Sequence, residues 1–306
     1  MNLGKRFLSI TNLLFFILIA VQFLPDKIDK EAHSSYVIWL AVGIEVLVIV
    51  LTFVLKKAEG FNLVKDIVGF IYAFLIIWTL LTAKFDLLSE VFFPPPGRVL
   101  VQFTEDITAI LNNIKSSVIT VFEGFFLASV IAIPLGLIFG CFTRLGNAAT
   151  YISKFLGSIP PIVYIPYGIA LLPTFHSVSV LVIFLATFFP VLGSTMGGVI
   201  HMDEKLINSA KVLNVSKFTL LTSVIFPAVL PQIFTGCNTG LATSFVLLTS
   251  AEMIAARDGL GFYIKQYSDF GDYTRVVLGI IIIGIVIVAI SYLINTLERK
   301  IIKWKN

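Results

Sequence analysis

The sequence predicts an all-α integral membrane protein, and three observations point to this fold class. Hydrophobic residues make up 58% of the 306 residues and charged residues 13%, whereas soluble domains carry roughly 25% charged residues. The mean hydropathy is high, at +0.98. Eight apolar segments approach the roughly 20 residues that a helix needs to cross a bilayer, and none alternates polar with apolar residues as transmembrane β-strands do.

The eight predicted spans occupy, in chain order, residues 7–24, 36–55, 67–83, 117–140, 160–175, 177–199, 225–250 and 275–297. The first resembles the apolar region of a signal peptide because Lys5 and Arg6 precede it. It is long for such a region, and no small-residue cleavage site follows before Pro25. We therefore predict that this segment is retained as a membrane helix.

The basic residues predict the orientation of the chain. Most of the 22 Lys and Arg residues fall on the inner side if the N-terminus is cytoplasmic, and the chain ends in the basic sequence ERKIIKWKN. Because cytoplasmic loops carry an excess of Lys and Arg, both termini are predicted to be cytoplasmic. Segment 200–224 then lies on the cytoplasmic side as well.

Three connecting segments are longer than simple turns. Segment 92–117 begins with three prolines and is predicted to continue as an amphipathic helix on the outer face. Segment 143–161 is predicted to be an inner loop, and segment 252–275 an outer loop. Gly-x-x-x-Gly spacing at Gly136/Gly140, Gly193/Gly197 and Gly236/Gly240 predicts close helix packing beyond residue 116, with the first two helices more peripheral.

The polar segment 203–217 contrasts with its apolar surroundings and is predicted to be a helix–turn–helix. Asp203 can cap the first helix, and Glu204 suits the positive end of the helix dipole. Asn214 tolerates the left-handed conformation that ends helices, and Ser216 can cap a second short helix. An apolar stripe is formed by residues at positions i, i+4 and i+7: Leu206, Ala210 and Leu213. This physics fits a docking site for a soluble partner or a helix resting among lipid headgroups equally well.

The segment resembles the cytoplasmic loop of permease subunits of ATP-binding-cassette (ABC) importers. That loop has the pattern Glu-Ala-Ala, three residues, Gly, nine residues, Ile-x-Leu-Pro. Here Asn208, Ser209 and Ala210 stand at Glu-Ala-Ala, Asn214 stands at the Gly, and the last matched position is Pro227. The spacing is kept, but Asn replaces both the Glu and the Gly.

Further motifs resemble the branch of this family that imports nitrate, taurine, alkanesulfonates, bicarbonate or pyrimidine precursors of thiamine. They are FFPPPGRVL, SIPPIVYIPYG, FFPVLGSTMGGV, AEMIAARDGLGFYI and ERKIIKW, which together cover about residues 62–306. The resemblance implies the type I importer fold with six helices, to which this chain adds two at the N-terminus. The predicted division is 1–60 for the extra helices and 61–306 for the permease domain.

The resemblance also implies partners and an ATPase-coupling role for part of the chain. Two ATPase subunits would bind ATP and Mg²⁺, a second permease copy would complete a homodimer in the lipid, and an external solute-binding protein would deliver the solute. ATPase coupling would fall on Asp203, Glu204, Leu206, Asn208, Ser209, Ala210, Leu213, Asn214, Lys217 and Pro227. In the outer loop, Glu252 is expected to brace the segment that contains Gly259 and Gly261.

Candidates for the solute pathway are polar residues inside apolar spans, because these usually face a cavity or a neighbouring helix. They are Tyr164, Ser194, Thr195, Asn238, Thr239, Thr243, Ser244 and Ser250. For each of them, a hydroxyl bonded to its own helix backbone is the competing interpretation.

The sequence argues against an enzyme and against a nucleic-acid-binding protein. No P-loop motif occurs, so ATP hydrolysis would belong to a separate subunit, and no cofactor or metal set is evident. Cys141 and Cys237 lie in apolar surroundings without redox or zinc spacing. The net charge of +4 gives no indication of nucleic-acid binding. Two other classes stay open: an ATP-independent secondary transporter or channel, and an assembly subunit without transport of its own.

Overall fold

A computed structural model describes residues 10–27, 32–54 and 58–301 of the chain, and the regular structure in these ranges is helical. The predictions for Lys5, Arg6 and the final residues 302–306 lie outside this described part. The all-α class predicted from hydropathy is confirmed.

The helices are numbered here in chain order. They are α1 Ile10–Gln22, α2 Ser34–Val54, α3 Ala58–Thr79, α4 Pro96–Glu105, α5 Ile107–Cys141, α6 Thr143–Gly157, α7 Ile165–Leu171, α8 Phe175–Ile200, α9 Glu204–Val212, α10 Lys217–Thr219, α11 Phe226–Ala255, α12 Leu260–Asp269 and α13 Tyr273–Ile301. Two π-helical turns, Leu80–Lys84 and Leu220–Ile225, follow α3 and α10, and a 3₁₀ turn, Pro161–Tyr164, precedes α7.

Within the described residues, each of the eight predicted spans overlaps a helix. In the described part of the chain, six helical stretches are long and apolar enough to cross a membrane: Ser34–Leu51, Asn62–Lys84, Ile107–Cys141, Phe175–Ile200, Lys217–Ile254 and Tyr273–Ile301. The other two are shorter apolar helices, Ile10–Gln22 and Pro161–Leu171.

The fifth span differs from its predicted bounds because it begins earlier and is interrupted. Segment 143–161, expected to be a loop, is mostly the helix α6, followed by the break at Ser158–Pro160 and then by α7. A Cβ placed on Gly146 would lie 3.6 Å from Ile200 Cδ1, one on Gly157 3.1 Å from Phe189 Cβ, and one on Gly168 2.9 Å from Val178 Cγ1. The sequence order of these contacts shows that α6 and α7 run antiparallel along α8.

Together, α6 and α7 therefore form one discontinuous span. α6 and α7 contact α8 from Ile200 to Val178. Over this stretch an α-helix rises about 33 Å, which is close to the hydrocarbon thickness of about 30 Å. Hydropathy alone missed its first half because α6 carries a polar face that lowers the average.

The amphipathic helix predicted in segment 92–117 is present as α4, whereas segment 252–275 holds more helix than expected. The prolines of segment 92–117 lead into α4, for which Pro95 is the N-cap and Pro96 the first residue. The next span then begins at Ile107, ten residues before its predicted start, because the polar stretch 107–117 is helical. Segment 252–275, expected to be a loop, contains α12.

The described residues up to Ala109, together with Gln266–Ile280, form one compact unit. In it, α1 and α2 pack against α3 around a core that includes Leu18, Ala41 and Tyr72. The Tyr72 hydroxyl donates to Glu45 Oε2 at 3.0 Å, which gives this intramembrane acid a partner. The two N-terminal helices thus have their own well-packed interface, although the boundary at residue 60 stays a prediction.

Ile110–Lys265 and Ile281–Asn306 form the second unit, in which α8 is the central helix. Gly136 and Gly140 of α5 lie against Thr195 and Val199, where added Cβ atoms would come within 2.7 and 2.5 Å of their Cβ atoms. On α11, Gly236 and Gly240 approach α8 just as closely. At two of the three predicted Gly-x-x-x-Gly motifs, the glycines therefore lie in close contact with a neighbouring helix.

Candidate functional site

The polar segment 203–217 has the predicted helix–turn–helix form. The Asp203 carboxylate accepts a hydrogen bond from the Lys205 backbone N–H at 2.9 Å and so caps α9. Asn214 has a φ of +52°, in the left-handed region. The Ser216 hydroxyl accepts from the Thr219 N–H at 3.1 Å and caps α10. Each of these residues therefore has the local conformation that its chemistry predicts.

The three residues of the predicted apolar stripe do not share one surface. Ala210 is buried, with 6% of its surface exposed, because α9 packs against the π-helical turn Leu220–Ile225. Leu206 and Leu213 are exposed, at 49% and 76%. Ala210→Arg would therefore displace α9 itself. This substitution could not test whether the segment binds a partner.

The exposed part of the segment combines polar and large apolar side chains. Asp203, Glu204, Asn208, Ser209 and Lys217 are exposed. Val212 and Phe218 are also exposed, at 85% and 76%. Pro227 is partly buried at the start of α11. We refer to Leu206, Val212, Leu213 and Phe218 as the apolar patch of this segment.

Changing Asn214 tests the turn. Valine at a left-handed position costs about 1–2 kcal/mol, so Asn214→Val is expected to lower the thermal midpoint of the detergent-solubilised protein by about 2–6 °C. Asn214→Gly is the matched control and should leave the midpoint unchanged, because glycine adopts positive φ freely. Equal midpoints for the two variants would contradict the turn.

A buried cluster surrounds Glu252 at the end of α11. The Ser117 hydroxyl donates to Glu252 Oε1 at 2.7 Å, and the Gly261 N–H donates to Oε2 at 2.8 Å. Ser117 in turn accepts from the Leu260 N–H at 2.8 Å, and the Asn113 side chain accepts from the Gly259 N–H at 2.9 Å. The carboxylate thus ties α5 and the first turn of α12 to the end of α11.

Both glycines of this cluster are required by its geometry. Gly259 has a φ of +104°, and a Cβ there would lie 2.3 Å from Glu252 Cδ. A Cβ on Gly261 would lie 2.4 Å from the Thr249 carbonyl oxygen. These contacts fit the predicted bracing role of Glu252. The sequence had not identified Ser117 and Asn113, whose polar side chains at four-residue spacing were the available signal.

The eight solute-pathway candidates are spread over the second unit. Hydroxyls bonded to a carbonyl of their own helix belong to Thr195, Thr239, Thr243, Ser244 and Ser250. Ser244 also contacts the Thr187 hydroxyl at 2.8 Å, and Asn238 donates to Glu298 at 3.2 Å. Tyr164 and Ser194 are half-buried. Backbone bonding, the competing interpretation, thus describes most of these hydroxyls.

Two clefts with mixed polar and apolar linings lie elsewhere in this unit, and none of the eight candidates lines them. One, of about 370 Å³, includes Thr120, His176, Glu252 and Arg257. His176, in the lining of this cleft, contacts Glu123 with its Nε2 atom 2.6 Å from Oε2. The sequence did not suggest this pairing. The second, of about 490 Å³, lies between α6 and α8. Across residues 10–27, 32–54 and 58–301, no group of three or more His, Cys, Asp or Glu side chains could hold a metal ion.

Comparison with known proteins gives the family. Residues 132–303 match the family described as binding-protein-dependent transport system inner membrane component. A probable ABC transporter permease of Brucella abortus (strain 2308) is 33% identical over 74% of this chain and 90% of its own length. The taurine transport system permease of Escherichia coli (strain K12) is 29% identical over 78% and 88%, and the nitrate import permease of Leptolyngbya laminosa is 28% identical over 62% and 68%.

The matched region contains the last ten residues of α5 and all of α6 to α13, and so includes the polar segment, Glu252 with Gly259 and Gly261, and the cleft between α6 and α8. Six helices that can cross a membrane agree with an inner membrane component. This chain therefore belongs to the binding-protein-dependent transport system inner membrane components, as a multi-pass ABC transporter permease of the cytoplasmic membrane.

Proposed function

We propose that this chain is the permease subunit of an ATP-driven importer for a small anionic solute. In this proposal a separate ATPase subunit docks on segment 200–224, with the coupling contacts at residues 203–217. The observation that carries the proposal is the apolar patch, which projects from a segment that is otherwise polar. The caps at Asp203 and Ser216 and the turn at Asn214 fix the conformation of the segment. This supports a preformed docking surface.

The packing of α9 suggests how docking would act on the membrane helices. The buried Ala210 side fixes α9 against Leu220–Ile225, and this turn continues directly into α11. On α11, glycines contact α8 closely along their common length. A displacement of α9 is therefore expected to move α11 and α8 together, as the rigid-body switching of alternating access requires.

The remaining components follow from membership of the family. ABC permeases work with ATPase subunits and a solute-binding protein. We propose two ATPase subunits, which bind ATP and Mg²⁺, and two copies of this chain. Closure of the ATPase pair would draw the two coupling segments together. Both termini would be cytoplasmic, as the basic residues predict.

The similarity to taurine and nitrate permeases supports a small anionic or sulfonate-type solute. The alternative is a secondary transporter or channel that needs no ATP. The match of residues 132–303 to the binding-protein-dependent transport family favours the importer over this alternative.

Leu213 provides the test of docking. Leu213→Asp places a charge at an exposed residue of the apolar patch, so co-purification of the ATPase subunit and ATP-driven uptake should both fall at least about tenfold, which corresponds to roughly 1.4 kcal/mol. Leu213→Met keeps an apolar side chain and should retain both. Because Leu213 is exposed, the thermal midpoint should not change. Wild-type ATPase binding by both Leu213→Asp and the double variant Leu213→Asp/Phe218→Asp would refute the proposal.

A further inference from the structure

The second cleft, whose lining mixes polar and apolar side chains, lies along one face of α6. Asn147, Thr150 and Lys154 recur at spacings of three and four residues, which places them on the same side of the helix. They line the cleft of about 490 Å³ together with Gly193 and Gly197 of α8. A polar face on a helix that belongs to a membrane span requires either water or a polar neighbour.

The α8 wall of this cleft is open because of its glycines. Gly193 and Gly197 have no described atom within 4 Å of an added Cβ, whereas the equivalent motifs on α5 and α11 are closed against α8. Close helix packing therefore does not explain this third Gly-x-x-x-Gly motif. Its effect is to leave free space beside the polar face of α6.

The cleft ends at the break between α6 and α7. Phe189 lines the cleft and contacts Gly157, the last residue of α6. Pro161 has no N–H, so the Gly157 carbonyl loses the donor that a continuous helix would supply. Phe189 lies near the middle of α8, so the break lies near the middle of the span. Non-helical backbone at this depth is stable only against protein or a water-filled cavity.

The cleft has a cationic residue, Lys154, in its lining. No Asp or Glu side chain is among the lining residues that the structure describes. Asn147 and Ser153 supply amide and hydroxyl donors in the lining, whereas the Thr150 hydroxyl donates to the Gly146 carbonyl of its own helix at 2.7 Å. A cationic residue surrounded by neutral donors favours a small oxyanion over a cation.

We propose that this cleft is a water-filled vestibule on the solute route and that Lys154 draws small anions into it. The vestibule would form the cytoplasmic half of the route, from the break at Ser158–Pro160 to the end of α8. This inference rests on the proposed transport function, which it extends by assigning a place and a charge preference to the route.

Thiol labelling in inverted membrane vesicles tests the vestibule on the assembled transporter without ATP. In a background of Cys141→Ser and Cys237→Ala, Thr150→Cys places a thiol in the cleft. Phe155→Cys places one on the opposite face of α6, where residue 155 is 70% exposed and lines neither cleft. The probes are methanethiosulfonates with a sulfonate or a trimethylammonium group, which form a disulfide with the thiolate and release methanesulfinate.

The thiol at position 150 should react and the one at position 155 should not. Lys154→Gln should lower the ratio of anionic to cationic labelling rates at position 150 by about three- to tenfold, as expected for removing one charge a few ångströms away in a wet site. Lys154→Arg should keep the ratio. Equal labelling at positions 150 and 155, or a ratio unchanged by Lys154→Gln, would overturn the proposal.

Uptake separates this proposal from that of the importer. In vesicles with the binding protein enclosed or supplied on its own side, ATP-driven uptake of nitrate and of taurine is measured for wild type, Lys154→Gln and Lys154→Arg. Reduced uptake in Lys154→Gln alone supports the vestibule, and wild-type uptake in Lys154→Gln counts against it. If the wild-type complex shows no ATP-driven uptake, the importer proposal fails while the labelling result still decides the vestibule.

Discussion

Replacing Glu252 by leucine is expected to cause the largest loss of stability among single substitutions in the second unit. The change leaves the Gly261 N–H and the Ser117 O–H without their acceptor in a site where Glu252 is 3% exposed. Each buried unsatisfied donor costs roughly 1–3 kcal/mol. The thermal midpoint should therefore fall by about 5–15 °C, and ATP-driven uptake should be lost because α5, α11 and the first turn of α12 are no longer tied together.

Conservative variants separate the hydrogen bonds from general damage. Glu252→Gln keeps the side-chain length and one good acceptor, so its midpoint should lie between those of wild type and Glu252→Leu. Ser117→Ala removes one donor to the carboxylate and should lower the midpoint, whereas Ser116→Ala changes the neighbouring partly exposed serine and should not. If Ser117→Ala and Ser116→Ala behave alike, the cluster does not stabilise the fold as described.

Gly259→Ala acts on the same cluster from the backbone. Alanine at a φ of +104° is strained, and its Cβ would overlap the Glu252 carboxylate. This explains why the residue at position 259, whose backbone faces the Glu252 carboxylate, is a glycine. The sequence indicated that Glu252 braces the loop, but it could not supply the partner on α5, because Ser117 is 135 residues away in the sequence.

Local chemistry made the polar segment predictable. Asp203, Asn214 and Ser216 act through hydrogen bonds or dihedral angles within three residues of themselves, so their conformations follow from residue type. The exposure of Ala210 did not follow, because it depends on the packing of α9 against the later turn Leu220–Ile225. Predictions therefore held where the interaction was local and failed where a distant element decided burial.

The discontinuous span shows the same limit for hydropathy. An average over a window cannot distinguish a soluble loop from a membrane helix with one polar face, and α6 is such a helix. The packing of α6 and α7 against α8 is shown by the contacts of Gly146, Gly157 and Gly168. Each of these glycines contacts a successive part of α8. The polar face that concealed this helix also lines the proposed vestibule.

Disrupting the contacts of Lys84 is expected to loosen the N-terminal helices. Its ammonium group is buried, lies 2.6 Å from Asp26 Oδ1, and donates to the carbonyls of Gln22 and Leu24 at 3.2 and 2.7 Å. It thereby joins the π-helical turn after α3 to the end of α1. Asp26→Ala leaves this buried charge with neutral acceptors only, and removing one partner of a buried pair costs roughly 3–5 kcal/mol. The partly exposed Asp26 should place the loss at the lower end of this range.

A double-mutant cycle distinguishes this interaction from unrelated losses of packing. The thermal midpoint should fall in Asp26→Ala and in Lys84→Met, and Asp26→Ala/Lys84→Met should lose less than the two single changes combined, because the methionine no longer carries a charge that needs a partner. Lys115→Met, at an exposed lysine, is the control and should leave the midpoint unchanged. Additive losses would show that Lys84 and Asp26 act separately. Retained ATP-driven uptake in the double variant would assign the N-terminal helices a stabilising role rather than a part in the solute route.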